Sequence, residues 1–219
     1  SRSYIDYESP YHPVIGNSGM VVSQNNLSSD IGLEILNKGG NAIDAAVAVG
    51  FSLAVTLPRA GNLGGGGFML VYLKESDEIF YIDYRSKSPL NSNLENIFDI
   101  INNTGKPYVT VPKDFDYDLF DVLDEGYKAS ALPGTVAGLL DAHSRFGKLT
   151  LKEVLTPVIK QASEGIVVSY DLYKAIESTP RLLKDPESKR IYFKNNKPIK
   201  ENSILKLPDL AQTISLIAE

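Results

Sequence analysis

The sequence predicts an α+β or layered α/β fold, with antiparallel sheet packed by helices. Three observations lead there. Residues 68–74 and 79–85 flank the polar turn Glu75-Ser76-Asp77-Glu78, which signals a hairpin. Residues 45–57 are almost wholly apolar, as expected of a helix buried on most sides. Thr150-x-x-Glu153 is a capping box that opens another helix. Strand signals therefore come as hairpins, with helices between them. No repeat and no flexible linker interrupts the chain, so residues 1–219 are read as a single domain.

Taken in order, residues 1–13 read as an extended polar and aromatic arm with Pro10 and Pro13. Gly19 to Ser23 is a short strand candidate around Met20-Val21-Val22. Ser28 or Ser29 caps a predicted helix over 30–38, which Gly39-Gly40 ends. Asn41, with Asp44 three residues on, starts the buried helix. After the hairpin, Ser86-Lys87-Ser88-Pro89 breaks the strand. Residues 94–103 are a helix candidate and 104–112 a loop or edge strand. Residues 129–138 lead from a short strand, through Pro133-Gly134, into a helix reaching Arg145. Thr150 caps a helix ending near Gly165, and Ser169 begins another that runs to about Leu183. Residues 191–193 are a strand candidate, and Pro208 sits in the first turn of a last helix. That helix runs to residue 219 without a stop signal, so the chain is expected to be a piece of something longer.

Composition excludes several chemistries. The net charge of −5 argues against a nucleic-acid partner. With no cysteine there is no disulfide, thiolate metal site or cysteine nucleophile. His12 and His143 are the two histidines, too few for a histidine-rich metal site. The longest apolar run, 45–57, is too short to cross a bilayer; no signal peptide opens the chain, as holds equally for a mature secreted protein.

The stretch from Pro58 to Leu70 contains four consecutive glycines, Gly64 to Gly67. Such a run is costly to order and fits a place where backbone passes close to something. The order here is helix, glycine loop, strand. A phosphate cradle runs from strand into helix, and no Gly-Lys-Ser/Thr follows, so nucleotide binding is rejected. Arg85, at the end of the second hairpin strand, is the leading candidate for chemistry because arginine forks onto carboxylates. From position alone, structural pairing with Asp83 or another acid is the preferred reading. Asp141, His143 and Ser144 have the residue types of a catalytic triad, but neighbours on a helix point apart. His12 has an equally weak claim. Asp114, Asp116, Asp118 and Glu125 mimic a calcium loop, yet Leu119 stands where that loop needs glycine, which favours a solvated acidic loop.

Gly39-Gly40-Asn41-Ala42-Ile43-Asp44-Ala45-Ala46-Val47-Ala48 and Ala60-Gly61-Asn62-Leu63-Gly64-Gly65-Gly66-Gly67-Phe68-Met69 closely resemble the large subunit of γ-glutamyltransferases (γ-glutamyl transpeptidases). Asp83-Tyr84-Arg85 resembles that family's Asp-aromatic-Arg, and Pro133-Gly134-Thr135-Val136-Ala137-Gly138 its Pro-Gly-Thr-Val-x-Gly. Outside residues 91–127 the likeness covers nearly the whole chain. It implies a layered αββα sandwich of the N-terminal-nucleophile hydrolase type, incomplete in this chain. It also implies a proenzyme that cuts itself before a threonine, which then heads the small subunit. That threonine attacks γ-glutamyl amides such as glutathione, and the γ-glutamyl group passes to water, an amino acid or a peptide. No metal or organic cofactor is implied. The partners implied are the small subunit, the donor and the acceptor, and the compartment is periplasmic or extracellular. Arg85 matches the arginine that binds the donor's α-carboxylate, so the resemblance turns its reading from structural to substrate-binding. The catalytic threonine is expected on the small subunit, and this chain by itself is expected to be inactive. The same fold also serves poly-γ-glutamate depolymerases/transpeptidases, cephalosporin-type acylases and, as a third alternative, non-catalytic γ-glutamyl-binding relatives. One departure stands out: many relatives read Arg-Glu-x-Ala-Pro, whereas this chain has Arg85-Ser86-Lys87-Ser88-Pro89. Lys87 is either an exposed loop lysine or a charge suited to a polyanionic donor.

Overall fold

A computed structural model describes residues 14–90 and 130–219. The predicted arm at 1–13 with His12, the helix at 94–103, the segment 104–112 and the acidic stretch 114–125 lie outside the described residues. The chain divides into two compact units, residues 1–62 with 142–219, and residues 63–141.

In the first unit, α1 (Asn26–Asn37) packs on α2 (Ala42–Thr56). Helix α1 starts earlier than the serines suggested, because Asn25 is its cap: the Asn25 side chain accepts from the Leu27 N–H at 2.9 Å. Ser28 has another use. It is fully buried, with its hydroxyl 2.8 Å from those of both Ser52 and Thr56 on α2. Ser52 Oγ in turn donates to Gln161 Oε1 at 2.7 Å, on α4 (Leu151–Glu164). Three helices thus share one satisfied polar chain inside an apolar interface, where an unpaired hydroxyl would be costly. Helix α2 is buried on most sides, as its composition predicts; Val47, Ala48, Phe51 and Val55 have no exposure.

Helix α4 begins on the predicted capping box. Thr150 Oγ1 accepts from the Glu153 N–H, and the Glu153 carboxylate accepts from the Thr150 N–H at 2.8 Å and from its hydroxyl at 2.6 Å. The Thr150 hydroxyl, and then its N–H, hold the Glu153 carboxyl below the usual glutamate range. A lowered folded value means stability that is present above the unfolded value and lost as the pH falls through the folded one. The contribution is therefore complete from about pH 5 upward and fades below about pH 4. Glu153→Gln is expected to remove that pH dependence: the wild-type advantage in urea midpoint at neutral pH should shrink at about pH 3. Gly165, at φ +98°, ends α4.

Beyond α4, β3 (Ile166–Val167) pairs antiparallel with β6 (Ile204–Leu205). The predicted helix after Ser169 is shorter than expected. Helix α5 (Tyr170–Glu177) stops before Thr179-Pro180, and a 3₁₀ turn (Pro180–Lys184) follows, since proline disfavours helix at the residue before it. Two strand expectations are corrected. Residues 20–22 are irregular, and residues 191–192 close α6 (Pro186–Tyr192). The strand there is only β4 (Phe193–Lys194), which pairs with β5 (Lys197–Pro198). Asn195 and Asn196 join them at φ 54° and 58°, the left-handed pair that a tight two-residue hairpin turn requires. Helix α7 (Pro208–Ile217) packs on α4, and the Leu207 N–H donates to the Ala162 carbonyl at 2.9 Å.

The second unit is built on the predicted hairpin, β1 (Gly67–Leu73) and β2 (Glu78–Tyr84), in the register Gly67↔Tyr84 to Leu73↔Glu78. Alternation divides it into two faces. Val71 and Ile82 are buried on one; Phe68, Leu70, Tyr72, Ile79 and Tyr81 are exposed on the other. Among the described residues before α3 (Thr135–Phe146), 130–134, there is only a bridge between Leu132 and Lys87.

Candidate substrate-binding cleft

Two stretches singled out in the sequence turn out to have different uses. The first, residues 39–48, is a structural clasp within the first unit. Asn41 caps α2, accepting from the Ile43 and Asp44 N–H groups at 3.0 Å, and its amide donates to the Phe146 carbonyl at 2.6 Å. The Asp44 side chain has no exposed surface. Its carboxylate accepts from the N–H groups of Asn41 (2.9 Å), Lys148 (3.0 Å) and Leu149 (3.3 Å). His143 Nε2 lies 2.9 Å from the Leu149 carbonyl and 3.6 Å from Asp44 Oδ1. His143 is thus engaged in holding the loop between α3 and α4 to the start of α2. That arrangement agrees with the non-catalytic reading of its sequence neighbourhood.

The second stretch, Gly64 to Gly67, belongs to the other unit, and it meets two further motifs at Tyr84. The N–H groups of Gly134 and Thr135 donate to the Gly65 carbonyl at 2.8 and 3.1 Å, which satisfies free donors at the start of α3. Gly134 and Gly138 are four residues apart, so both fall on one side of the helix start. Both face Tyr84. A Cβ on Gly134 would lie 2.0 Å from the Tyr84 carbonyl oxygen, and one on Gly138 would lie 2.1 Å from the ring's Cγ. A Cβ on Gly66 would lie 2.3 Å from the Ser86 nitrogen and 2.7 Å from the same Tyr84 carbonyl oxygen. Only glycine permits this approach of three backbone segments. Burial among them pushes the Tyr84 phenol above its ordinary pKa.

The consequence is a fixed backbone at residues 84–87. The Arg85 N–H donates to Asp83 Oδ1 at 3.0 Å. Lys87 and Leu132 exchange backbone hydrogen bonds at 3.1 and 2.7 Å. The Asp83 carboxylate is therefore used on backbone. Among the described residues, no acid pairs with the Arg85 guanidinium or the Lys87 ammonium. Both side chains line a cleft of about 360 Å³, together with Ile82, Asp83, Leu132 and Asp141. A guanidinium presented in this way can take one carboxylate in a fork of two hydrogen bonds. Of the three triad types, Asp141 alone lines the cleft; His143 is in the clasp and Ser144 is exposed. No group of three His, Asp or Glu among the described residues could hold a metal ion. No helix among them is long and apolar enough to cross a membrane.

What sequence reasoning did not foresee is the crowding of Tyr84. The available signal was the four-residue spacing of Gly134 and Gly138, one helical turn.

The family model described as Gamma-glutamyltranspeptidase matches residues 28–219. The glutathione hydrolase proenzyme of Escherichia coli (strain K12) is 37% identical, over 99% of this chain and 35% of its own length. Among solved structures, Helicobacter pylori gamma-glutamyltranspeptidase superposes with a TM-score of 0.81 at 33% identity, over 94% of this chain and 56% of that one. The Pseudomonas nitroreducens gamma-glutamyltranspeptidase, complexed with L-DON, gives 0.76 at 36% identity, over 93% and 55%. The chain spans about a third of the length of the curated relatives it matches.

Proposed function

The chain belongs to the gamma-glutamyltranspeptidase family and carries part of its N-terminal-nucleophile hydrolase fold; from that premise we propose that it supplies the donor-binding wall of a γ-glutamyltransferase/glutathione hydrolase. In this reading Arg85 grips the α-carboxylate of the γ-glutamyl group. A threonine at the head of a small subunit, cut from the same proenzyme, attacks the γ-amide. The amine leaves, and water, an amino acid or a peptide takes the γ-glutamyl group. The role of this chain is placement: an anchored carboxylate fixes where the amide carbonyl sits relative to the attacking hydroxyl. The donors are γ-glutamyl amides such as glutathione, and the compartment is periplasmic or extracellular.

One observation supports the reading most: the glycine run packs against Asp83-Tyr84-Arg85 and the Pro133–Gly138 motif, and these two motifs line one cleft whose Arg85 guanidinium pairs with no acid of the described residues. The test is the full-length gene product. Intact mass spectrometry is expected to show two chains, the second beginning with threonine, and the preparation should release aniline product from a γ-glutamyl-anilide. A single uncut chain without that release would overturn the proposal.

A further inference from the structure

Lys87 shares the cleft with Arg85, and its placement is built into the fold. Two reciprocal backbone hydrogen bonds to Leu132 lock Lys87 in an antiparallel bridge. Two residues span at most about 7 Å of chain, so the two cationic side chains are rooted close together on the wall of one cleft. Neither is neutralised by an acid of the described residues, and Asp83, the nearest acid in sequence, accepts from backbone. An α-carboxylate forked by Arg85 has both its oxygens engaged there and leaves the Lys87 ammonium for a second anion.

We propose that Lys87 is a specificity-determining residue that selects γ-glutamyl donors with a second free carboxylate, on the residue that leaves. This rests on the reading of Arg85 as the α-carboxylate anchor. In a γ-glutamyl dipeptide the two carboxylate-bearing carbons are five bonds apart, about 6 Å when extended. Two long side chains rooted no more than about 7 Å apart can close on carboxylates separated in this way. The leaving residue's carboxylate then meets the ammonium while the γ-amide lies between the two anchors. A donor whose leaving part is uncharged there, such as an amide or anilide, makes the first contact and not the second.

The experiment compares kcat/KM of the full-length processed protein for γ-glutamyl-alanine and γ-glutamyl-alaninamide. Wild type is expected to prefer the free carboxylate by about three- to tenfold, the range of a solvent-accessible charged contact. Lys87→Met should bring the ratio close to one, mainly through KM for the dipeptide, while Lys87→Arg keeps it. High salt should weaken the preference in wild type and leave Lys87→Met unmoved. No preference in wild type, or a preference that survives in Lys87→Met, overturns the proposal. Arg85→Ala separates the two readings. If Lys87 selects and Arg85 anchors, Arg85→Ala weakens both donors alike and leaves their ratio intact. Unweakened donors in Arg85→Ala would instead sink the anchor reading, and this proposal with it.

Discussion

Arg85→Ala in the full-length protein is expected to raise KM for γ-glutamyl donors about 10- to 100-fold. The magnitude follows from losing a charge-assisted fork worth about 1.5–3 kcal/mol. Arg85→Lys should fall between, because an ammonium supplies the charge but not two parallel donors. The fold should tolerate either change. The side chain is exposed, and the segment is held through backbone, by Asp83 Oδ1 on the Arg85 N–H and by Lys87 on Leu132. Thermal midpoints of wild type and variant should therefore agree while KM moves. A loss of stability accompanying the loss of affinity would instead point to a structural arginine. If kcat falls with KM unchanged, the contact is made mainly in the transition state, and the anchoring role is wrong in kind.

Asp44→Ala should show the opposite pattern. The carboxylate is buried and accepts from three backbone N–H groups, belonging to Asn41, Lys148 and Leu149. Removing it breaks the capping box of α2 and unties the loop between α3 and α4. A lost cap costs about 1 kcal/mol and each stranded donor about 1–3, so a total near 3 kcal/mol is expected, moderated by water reaching Lys148. Urea unfolding of the full-length protein should show the midpoint falling, and Asp44→Asn should lose less. KM of the folded fraction should stay near wild type, because Asp44 serves the clasp and not the cleft. Unchanged stability would remove the clasp from the account.

Much of this was legible in the chain. The hairpin appears one residue from its predicted bounds, because alternating residues between turn signals leave little freedom of register. The capping boxes at Asn41 and Thr150 appear as read, since each is a local pattern whose partners lie three residues apart. Pattern failed where distant contacts decide. Ser28 looked like a cap, but burial against Ser52 and Thr56 makes it part of an interface 24 and 28 residues away in sequence. Residues 191–192 looked like strand, yet the Asp185 cap, whose side chain accepts from the Ser188 N–H at 2.7 Å, and Pro186 start a helix that carries through them. For the site, Arg85 was visible as a candidate, but position alone favoured pairing with Asp83. Asp83 in fact spends its carboxylate on the Arg85 N–H, a detail that depends on how the strand ends and that no spacing rule reveals. The glycines were read as marks of close backbone approach. That the approached group is Tyr84 follows only from bringing residues 66, 134 and 138 together.

The central claim is that Arg85 holds the donor's α-carboxylate, and matched donors test it most directly. γ-Glutamyl-anilide and 4-aminobutanoyl-anilide differ only in that carboxylate. Wild-type full-length protein is expected to discriminate between them in kcat/KM by about 10- to 100-fold. In Arg85→Ala the discrimination should collapse toward one, because the group that distinguishes the donors has lost its partner. Discrimination that persists undiminished in Arg85→Ala would show that another residue holds the carboxylate and would contradict the account.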